Sequence, residues 1–294
     1  MATSNPLCAW AIGAAVALAA GAACADDLRE GGKLLLTDGV TTIEGASGGG
    51  LAAWAVIAGD ETRNGIGARI GASEVHLPAY DLRVYSAAVG VFDRFEVSYA
   101  RQEFDTGSTG AKLGIGDGFT FDQDVFGAKV KLLGDAVYDQ DSLIPQVSAG
   151  AEYKLNDKSA IIHAVGGKSA EGVDYYVAAT KLFLNQSLVV DATLRLTKAN
   201  QIGILGFGGD KRNAYSPEVE GSVGYLLTRH FVVGAEYRTK PNNLGVAKED
   251  NWADLFAAYA FNPHLSLTAA YVDAGSIVTL QNQRGLYLSL QAGF

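Results

Sequence analysis

The chain has 294 residues and a net charge of −9, and 48% of its residues are hydrophobic. An acidic chain of this kind is unsuited to binding nucleic acid, whose phosphates attract basic surfaces. Both cysteines, Cys8 and Cys24, lie within the first 25 residues, so the rest of the chain has no disulfides or thiolate metal sites. No later stretch approaches the roughly 18 consecutive apolar residues that a membrane helix needs.

The chain begins with an export signal. Residues 9–23 are apolar and uncharged, and they lead to the small-residue sequence Ala23-Cys24-Ala25. This pattern is typical of a secretory signal peptide with its cleavage site. We therefore predict that residues 1–25 are a cleaved signal peptide and that the mature chain enters a Gram-negative envelope. A lipoprotein anchor at Cys24 is disfavoured, because Gly21 stands where an aliphatic residue is usual.

Residues 26–49 form the next unit, which ends in a run of glycines at 48–50. Consecutive glycines permit a sharp bend or a close approach of the backbone to its neighbours. We predict either a flexible periplasmic lead-in to the first strand or a plug segment, with the lead-in slightly favoured.

From residue 50 onward, strand-length segments with alternating polarity follow one another. In 187–197, Val190, Ala192 and Leu194 face one way, while Thr193 and Arg195 face the other with Asp191. A period of two residues indicates strands rather than helices. The candidate strands are 50–58, 66–75, 81–92, 94–104, 119–132, 144–155, 159–166, 172–183, 187–197, 214–227, 230–240, 252–261, 264–274 and 283–294.

The connections between these strands fall into two classes. The short ones are 93–94, 156–158, 185–186, 228–230 and 262–264, and the long ones are 105–118, 198–213, 241–251 and 275–282. Short turns on one side and long loops on the other are typical of outer-membrane barrels. Residues 50–294 are therefore predicted to form an all-β transmembrane antiparallel β-barrel of about 14 strands, with 12 to 16 left open. Aromatic residues beside the short turns predict a periplasmic girdle, and they are Phe92, Phe95, Tyr153, Phe183, Tyr225, Phe231, Tyr259 and Phe261.

The last strand carries a further signal of the outer membrane. Leu286, Leu288 and Leu290 alternate with more polar residues, and the sequence stops at Phe294. This ending resembles the signal that the barrel-assembly machinery recognises, so Phe294 is predicted to be an assembly signal. The expected partners are then outer-membrane lipid and the assembly machinery.

Several longer motifs resemble a known family. They are residues 31–51 (opening Gly-Gly-Lys-Leu-Leu-Leu-Thr-Asp-Gly), 197–210 (Thr-Lys-Ala-Asn-Gln-Ile-Gly-Ile-Leu-Gly-Phe-Gly-Gly-Asp), 236–245 and 282–294. They are similar to the domain-of-unknown-function family 3034, and the resemblance covers nearly the whole mature chain. It implies an outer-membrane barrel and carries over no catalytic or binding residues.

Charged residues on the polar faces of the strands are the candidates for lining the lumen. They are Arg94, Glu96, Lys129, Lys131, Glu152, Lys154, Asp191, Arg195, Glu218, Glu220, Glu236, Arg238 and Asp254. A barrel of about 14 strands is wider than side chains alone fill. We therefore predict a passive channel or transporter for small solutes, and apolar loop residues such as Ile204 and Phe207 favour hydrophobic ones. The alternative is a structural or adhesive barrel with a blocked lumen.

The sequence offers no basis for catalysis. The chain has four histidines, and none has a serine and a carboxylate at a spacing typical of a hydrolase. The protein is therefore predicted not to be an enzyme and to need no cofactor and no metal. The sequence leaves its oligomeric state open.

Overall fold

The computed structural model describes residues 33–60 and 64–294, so the predicted signal peptide lies outside the described residues. Two short strands, β1 (Val40–Thr41) and β2 (Ser47–Gly48), pair with each other ahead of the main sheet. Twelve longer strands then form one closed antiparallel barrel. They are β3 (Ile66–His76), β4 (Asp81–Val91), β5 (Phe95–Asp105), β6 (Thr120–Leu133), β7 (Gln146–Asn156), β8 (Glu171–Phe183), β9 (Leu188–Thr197), β10 (Ser216–Thr228), β11 (Phe231–Arg238), β12 (Trp252–Asn262), β13 (Leu265–Asp273) and β14 (Arg284–Gly293).

Each barrel strand pairs with its neighbours in sequence, and β14 pairs with β3 to close the ring. The last residue takes part in this closure. The Phe294 amide donates to the Ala68 carbonyl at 3.0 Å, and the Ala68 amide donates to the Phe294 carbonyl at 2.8 Å. Closure leaves no free sheet edge, so backbone hydrogen bonds are satisfied all round the wall. Among the described residues, no helix is both long enough and apolar enough to span a membrane.

The prediction of about 14 strands is wrong in number, because two predicted segments are not barrel strands. Residues 51–58 are buried on every side, whereas a barrel strand has one outer and one inner face. Residues 159–166 contain a short helix, α2 (Ser159–Ala164), whose Ile162 is fully buried. The other short helix, α1 (Gly107–Lys112), lies between β5 and β6, and single 3₁₀ turns occur at Leu184–Gln186 and Gln201–Gly203.

The two ends of the barrel differ, as predicted. We call one the turn end, where residues 92–94, 134–145, 184–187, 229–230 and 263–264 connect strands. We call the other the loop end, where residues 77–80, 106–119, 157–170, 198–215, 239–251 and 274–283 connect them. Two details differ from the prediction. Residues 156–158 belong to a long connection at the loop end, and the connection 134–145 at the turn end is long.

Side chains alternate across the wall. In β9, Leu194 on the outside is 51% exposed, whereas Thr193 and Arg195 on the inside are buried. The predicted faces of this strand are therefore confirmed. Aromatic side chains such as Phe95, Tyr259 and Phe261 point outward near the turn end. Tyr153 does not belong with them, because β7 runs from the turn end towards the loop end and Tyr153 lies near its far end.

Candidate functional site

The interior of the barrel is occupied by the chain itself. Residues 33–60, which we call the lumen segment, precede the first barrel strand, and every residue from 37 to 59 is buried. The Thr41 hydroxyl bonds to Gln291 of β14 at 2.9 Å and to Ser86 of β4 at 2.6 Å. Of the two alternatives left open by the sequence, the arrangement is that of a segment inserted in the barrel.

Carboxylates of the wall hold the backbone of the lumen segment. Glu236 accepts hydrogen bonds from the amides of Leu51 at 2.8 Å and Ala52 at 3.2 Å. Glu96 accepts in the same way from the amides of Ser47 at 3.0 Å and Ala58 at 2.8 Å. The segment forms little regular structure of its own, so these wall side chains satisfy backbone groups that burial would otherwise leave unpaired.

The glycine run explains how the segment can lie so close to the wall. A β-carbon built on Gly49 would lie 2.1 Å from Glu236 Oε1, and one on Gly48 would lie 2.1 Å from the Ala52 carbonyl oxygen. Gly50 has a φ of +126°, which is unfavourable for other residues. The three glycines therefore allow a bend that brings the backbone into hydrogen-bonding distance of Glu236.

Glu44 joins the lumen segment to a buried cluster of charges on the wall. Its carboxylate pairs with Lys154 of β7, with Arg238 of β11 (Nη2–Oε1, 3.2 Å) and with Arg195 of β9 (Nη2–Oε2, 3.5 Å). All four side chains are at most 3% exposed. A buried charge is tolerated only when it is paired in this way.

Wall carboxylates complete this charge cluster. Lys154 Nζ lies 2.6 Å from Asp174 Oδ2, Arg195 Nη1 lies 2.6 Å from Glu152 Oε2, and Arg238 Nε lies 3.2 Å from Glu220 Oε1. The carboxylates of Glu44, Glu152 and Asp174 lie within 4.8 Å of one another, which is close enough to share a metal ion. Lys154 and Arg195 already bridge them, so the arrangement is that of an ion-pair network.

A different wall of the barrel faces free space. The described side chains of β12 and β13 take no part in the hydrogen bonds that hold residues 38–58. Between this wall and the lumen segment lies a cavity with about 50 Å³ of room for water-sized molecules, which we call the upper chamber. Apolar residues such as Leu51, Val272 and Phe104 line it, and loop residues Ile202 and Ile277 roof it.

A second cavity, the lower chamber, lies towards the turn end. It has about 30 Å³ of such room, and its lining includes Leu36, Val137, Leu226 and Val232. A cavity needs roughly 10–15 Å³ of room to hold one water molecule. Each chamber therefore has room for a few water molecules, and both are mainly apolar.

Most of the residues predicted to line the lumen are buried on the inner face of the wall. They are Glu96, Lys129, Glu152, Lys154, Asp191, Arg195, Glu218, Glu220, Glu236 and Arg238. Asp254 is half-buried and lines the upper chamber. Arg94 is exposed in a turn, and Lys131 lies at the turn end, 2.6 Å from Asp93.

Sequence reasoning missed two members of the charge cluster. Glu44 lies in the segment for which a lead-in was favoured, and Asp174 was not assigned to the lumen. The alternation of β8 places Asp174 on the same face as Tyr176 and Ala178, and this signal was available in the sequence. Glu44 had no comparable signal, because its partners lie on strands more than 100 residues away.

The histidines lie at the two ends of the barrel and away from the charge cluster. His76 bonds to Asp81 at 2.5 Å, and the other three bond to backbone carbonyls. Among the described residues, no hydrogen bond joins a histidine ring to a serine hydroxyl.

Comparison with solved structures shows the same fold in outer-membrane proteins. The KdgM porin matches with a TM-score of 0.50 at 9% identity, over 77% of this chain and 99% of that one. Outer membrane phospholipase A from Escherichia coli matches with a TM-score of 0.43 at 12% identity, over 77% and 92%. An outer membrane channel from Pseudomonas putida F1 matches with a TM-score of 0.47 at 10% identity, over 78% and 95%. At 9% identity the likeness to the KdgM porin shows the barrel fold alone.

Comparison with curated protein sequences found no match. The model of a family described as protein of unknown function (DUF3034) matches residues 37–291, which include the lumen segment from Thr37 onward and almost all of the barrel. The chain therefore belongs to the DUF3034 family.

Proposed function

We propose that this protein is an outer-membrane channel for small solutes and that hydrophobic solutes are favoured. The observation that carries the proposal is the free space inside the barrel. The lumen segment is fixed to the charged part of the wall, and two apolar chambers remain beside it. A barrel that served only as a scaffold would gain stability by filling such space.

The outer surface of the wall supports a location in the outer membrane. Outward side chains such as Leu194, Leu255 and Leu286 are more than half exposed, and they recur round the barrel. In water this surface would be a large apolar patch, whereas in a lipid bilayer it is the expected lining of a closed barrel. The predicted signal peptide would deliver the chain to the envelope, and Phe294 would direct its assembly.

The preference for hydrophobic solutes rests on desolvation. Moving a charged solute into an apolar chamber costs several kcal/mol unless a partner neutralises it. The cationic side chains that could neutralise an anion, such as Arg195 and Lys154, are already paired with carboxylates. Anions are therefore poor candidates for the chambers.

The second candidate is a structural or adhesive barrel with a blocked lumen. It is favoured by the burial of every residue from 37 to 59, because the segment closes the direct path through the barrel. The two candidates differ in permeability and not in location.

Uptake across the outer membrane separates them. We would compare entry of the fluorescent dye N-phenyl-1-naphthylamine into cells that produce the protein and into cells that lack it. The matched control is Ala192→Arg, which places a charge on the outer face of β9 and lowers the amount of folded barrel. Uptake that follows the amount of folded protein supports the channel. Equal uptake in all three strains, together with no conductance in planar bilayers, supports the blocked barrel.

A further inference from the structure

The two chambers share part of their lining. Gly49, Phe256 and Thr268 line both of them, Gly49 from the lumen segment and the other two from β12 and β13. The upper chamber is roofed by loop-end residues, and the lower chamber extends to turn-end residues. Together they follow the β12–β13 wall along the barrel, with one interruption where the shared residues meet.

The β12–β13 wall also carries polar atoms that lack partners. Among the described residues, Trp252 Nε1, Asp254 Oδ1, Thr268 Oγ1 and Ser266 Oγ are buried atoms without a hydrogen bond. Trp252, Thr268 and Ser266 are at most 8% exposed. Buried polar atoms in folded proteins nearly always have a partner, so these four mark where a mobile hydrogen-bonding molecule fits.

The positions of these atoms follow the chambers. β12 runs from the loop end to the turn end, and β13 runs back, so Trp252 and Asp254 lie above Phe256 while Ser266 lies below it. Thr268 pairs with Ala258, one inward-facing position below Phe256. Trp252, Asp254 and Thr268 line the upper chamber and Thr268 also lines the lower one, whereas Ser266 lines neither. A solute moving along this wall would therefore meet hydrogen-bonding groups from the upper chamber as far as the interruption.

Phe256 lies against two glycines of the neighbouring strands. Gly224, Gly234 and Phe256 are successive partners across β10, β11 and β12. A β-carbon built on Gly234 would lie 2.5 Å from the Phe256 ring, and one on Gly224 would lie 3.7 Å from it. The ring therefore lies over two wall positions that carry no side chain. Replacing it with a smaller side chain would leave open space there, beside the residues that line both chambers.

We propose that solute passes between the lumen segment and the β12–β13 wall while the segment stays in place, with the Phe256 side chain as the gate. This inference rests on the proposed function and names its substrate class. The substrates are small, uncharged, mainly apolar molecules that carry at least one hydrogen-bonding group. A donor suits Thr268 Oγ1, which can accept, and an acceptor suits Trp252 Nε1, which can only donate.

The first arm of the test changes the gate. N-phenyl-1-naphthylamine is a suitable probe, because it is apolar and uncharged and has one N–H donor. Phe256→Ala is expected to raise its uptake at least threefold over the wild type. The matched control is Leu255→Ala, the adjacent residue on the outer face, which is expected to leave uptake unchanged. Phe256→Leu, a smaller change in volume, is expected to give an intermediate rate if Phe256→Ala folds poorly.

The second arm of the test fixes the lumen segment to the barrel wall with an engineered disulfide. A β-carbon built on Gly71 would lie 2.6 Å from Thr41 Oγ1, and in a disulfide each β-carbon lies about 3 Å from the far sulfur. Thr41→Cys with Gly71→Cys can therefore form a disulfide once the Gln291 side chain shifts. The disulfide would also restrain Gly49, which lines both chambers, because β1 pairs with β2 and Gly49 follows β2 directly. Cys8 and Cys24 both lie in the predicted signal peptide, so the engineered pair is expected to be alone in the mature chain.

Uptake by this double-cysteine protein shows whether the lumen segment must leave the barrel. We expect its oxidised and reduced forms to take up the probe at rates within twofold of each other, and we expect Phe256→Ala to raise both rates. Loss of uptake on oxidation alone would show that the segment must leave, which overturns the inference but keeps the channel. Equal effects of Phe256→Ala and Leu255→Ala would also overturn it. Absence of uptake in every form would reject the proposed function itself.

Discussion

Glu44→Gln is expected to loosen the lumen segment without unfolding the barrel. The substitution keeps the size of the side chain and removes its charge. Glu44 is 1% exposed and pairs with Lys154, Arg195 and Arg238, which all belong to the wall. The lost interactions therefore join the segment to the barrel and not one barrel strand to another.

The size of the effect follows from what the wall retains. Removing one partner of a buried ion pair typically costs about 3–5 kcal/mol, because the other charge is left unpaired. Here the three cations keep Glu152, Asp174 and Glu220 as partners, so no cation is left without a carboxylate. We therefore expect a cost near the lower limit, about 3 kcal/mol. This corresponds to a rise of roughly 100-fold in the population with the segment released.

Hydrogen exchange measures this population directly. Amides of residues 38–58 in Glu44→Gln are expected to exchange roughly 100-fold faster than in the wild type, while amides of the barrel strands exchange at unchanged rates. The control is Glu74→Gln, which removes an exposed pair with Arg83 at 3.4 Å. Such pairs contribute only about 0–1 kcal/mol, so the control should resemble the wild type.

Two results would refute the reasoning. If the segment exchanged at its wild-type rate in Glu44→Gln, the charge cluster would not be what retains it. If β7, β9 and β11 exchanged faster to the same extent as the segment, Glu44 would stabilise the barrel as a whole.

Three further predictions concern the wall and its two ends. Ala192→Arg places a charge among lipid-facing residues and is expected to lower the stability of the folded barrel by about 2–4 kcal/mol. A gel should then show a lower yield of heat-modifiable barrel, whereas Ala192→Leu should fold normally. Deleting Phe294 is expected to lower the amount of barrel in the membrane far more than its stability, since one buried aromatic contributes only about 1.5–3 kcal/mol; equal immunoblot levels would contradict this. Burial raises the pKa of the Glu249 carboxyl to about 7, despite Lys240 at 3.9 Å. Between pH 4.5, the ordinary pKa of this carboxyl, and about pH 7, the folded loop binds a proton more tightly than the unfolded loop. Hydrogen exchange of the loop amides, corrected for the intrinsic exchange rate at each pH, should therefore show better protection as the pH falls from 7.5 to 5.5. Glu249→Gln should remove this pH dependence.

The barrel wall could be predicted from the sequence because each of its strands has two different environments. β9 illustrates this, since its outward residues meet an apolar phase and its inward residues meet charges. The period of two residues is then present in the sequence itself. The bounds of the twelve strands accordingly differ from the predicted ones by only a few residues.

Residues 51–58 could not be assigned in this way. They are apolar on every side because the barrel encloses them, and a fully buried run of this length has no period that separates a strand from any other conformation. The predicted strand count is too high for this reason and because residues 159–166, predicted to be a strand, contain helix α2. The partners of Glu44 could not be predicted from the sequence either, because only closure of the barrel brings Lys154, Arg195 and Arg238 together.

The inserted lumen segment also sets an order of events during assembly. Its residues precede the barrel in the chain, but its hydrogen bonds reach as far as Gln291, 250 positions later. The binding positions on β3, β5, β11 and β14 have their final spacing only after β14 has paired with β3. The part of the chain that is made before the barrel can therefore complete its contacts only once the barrel has closed.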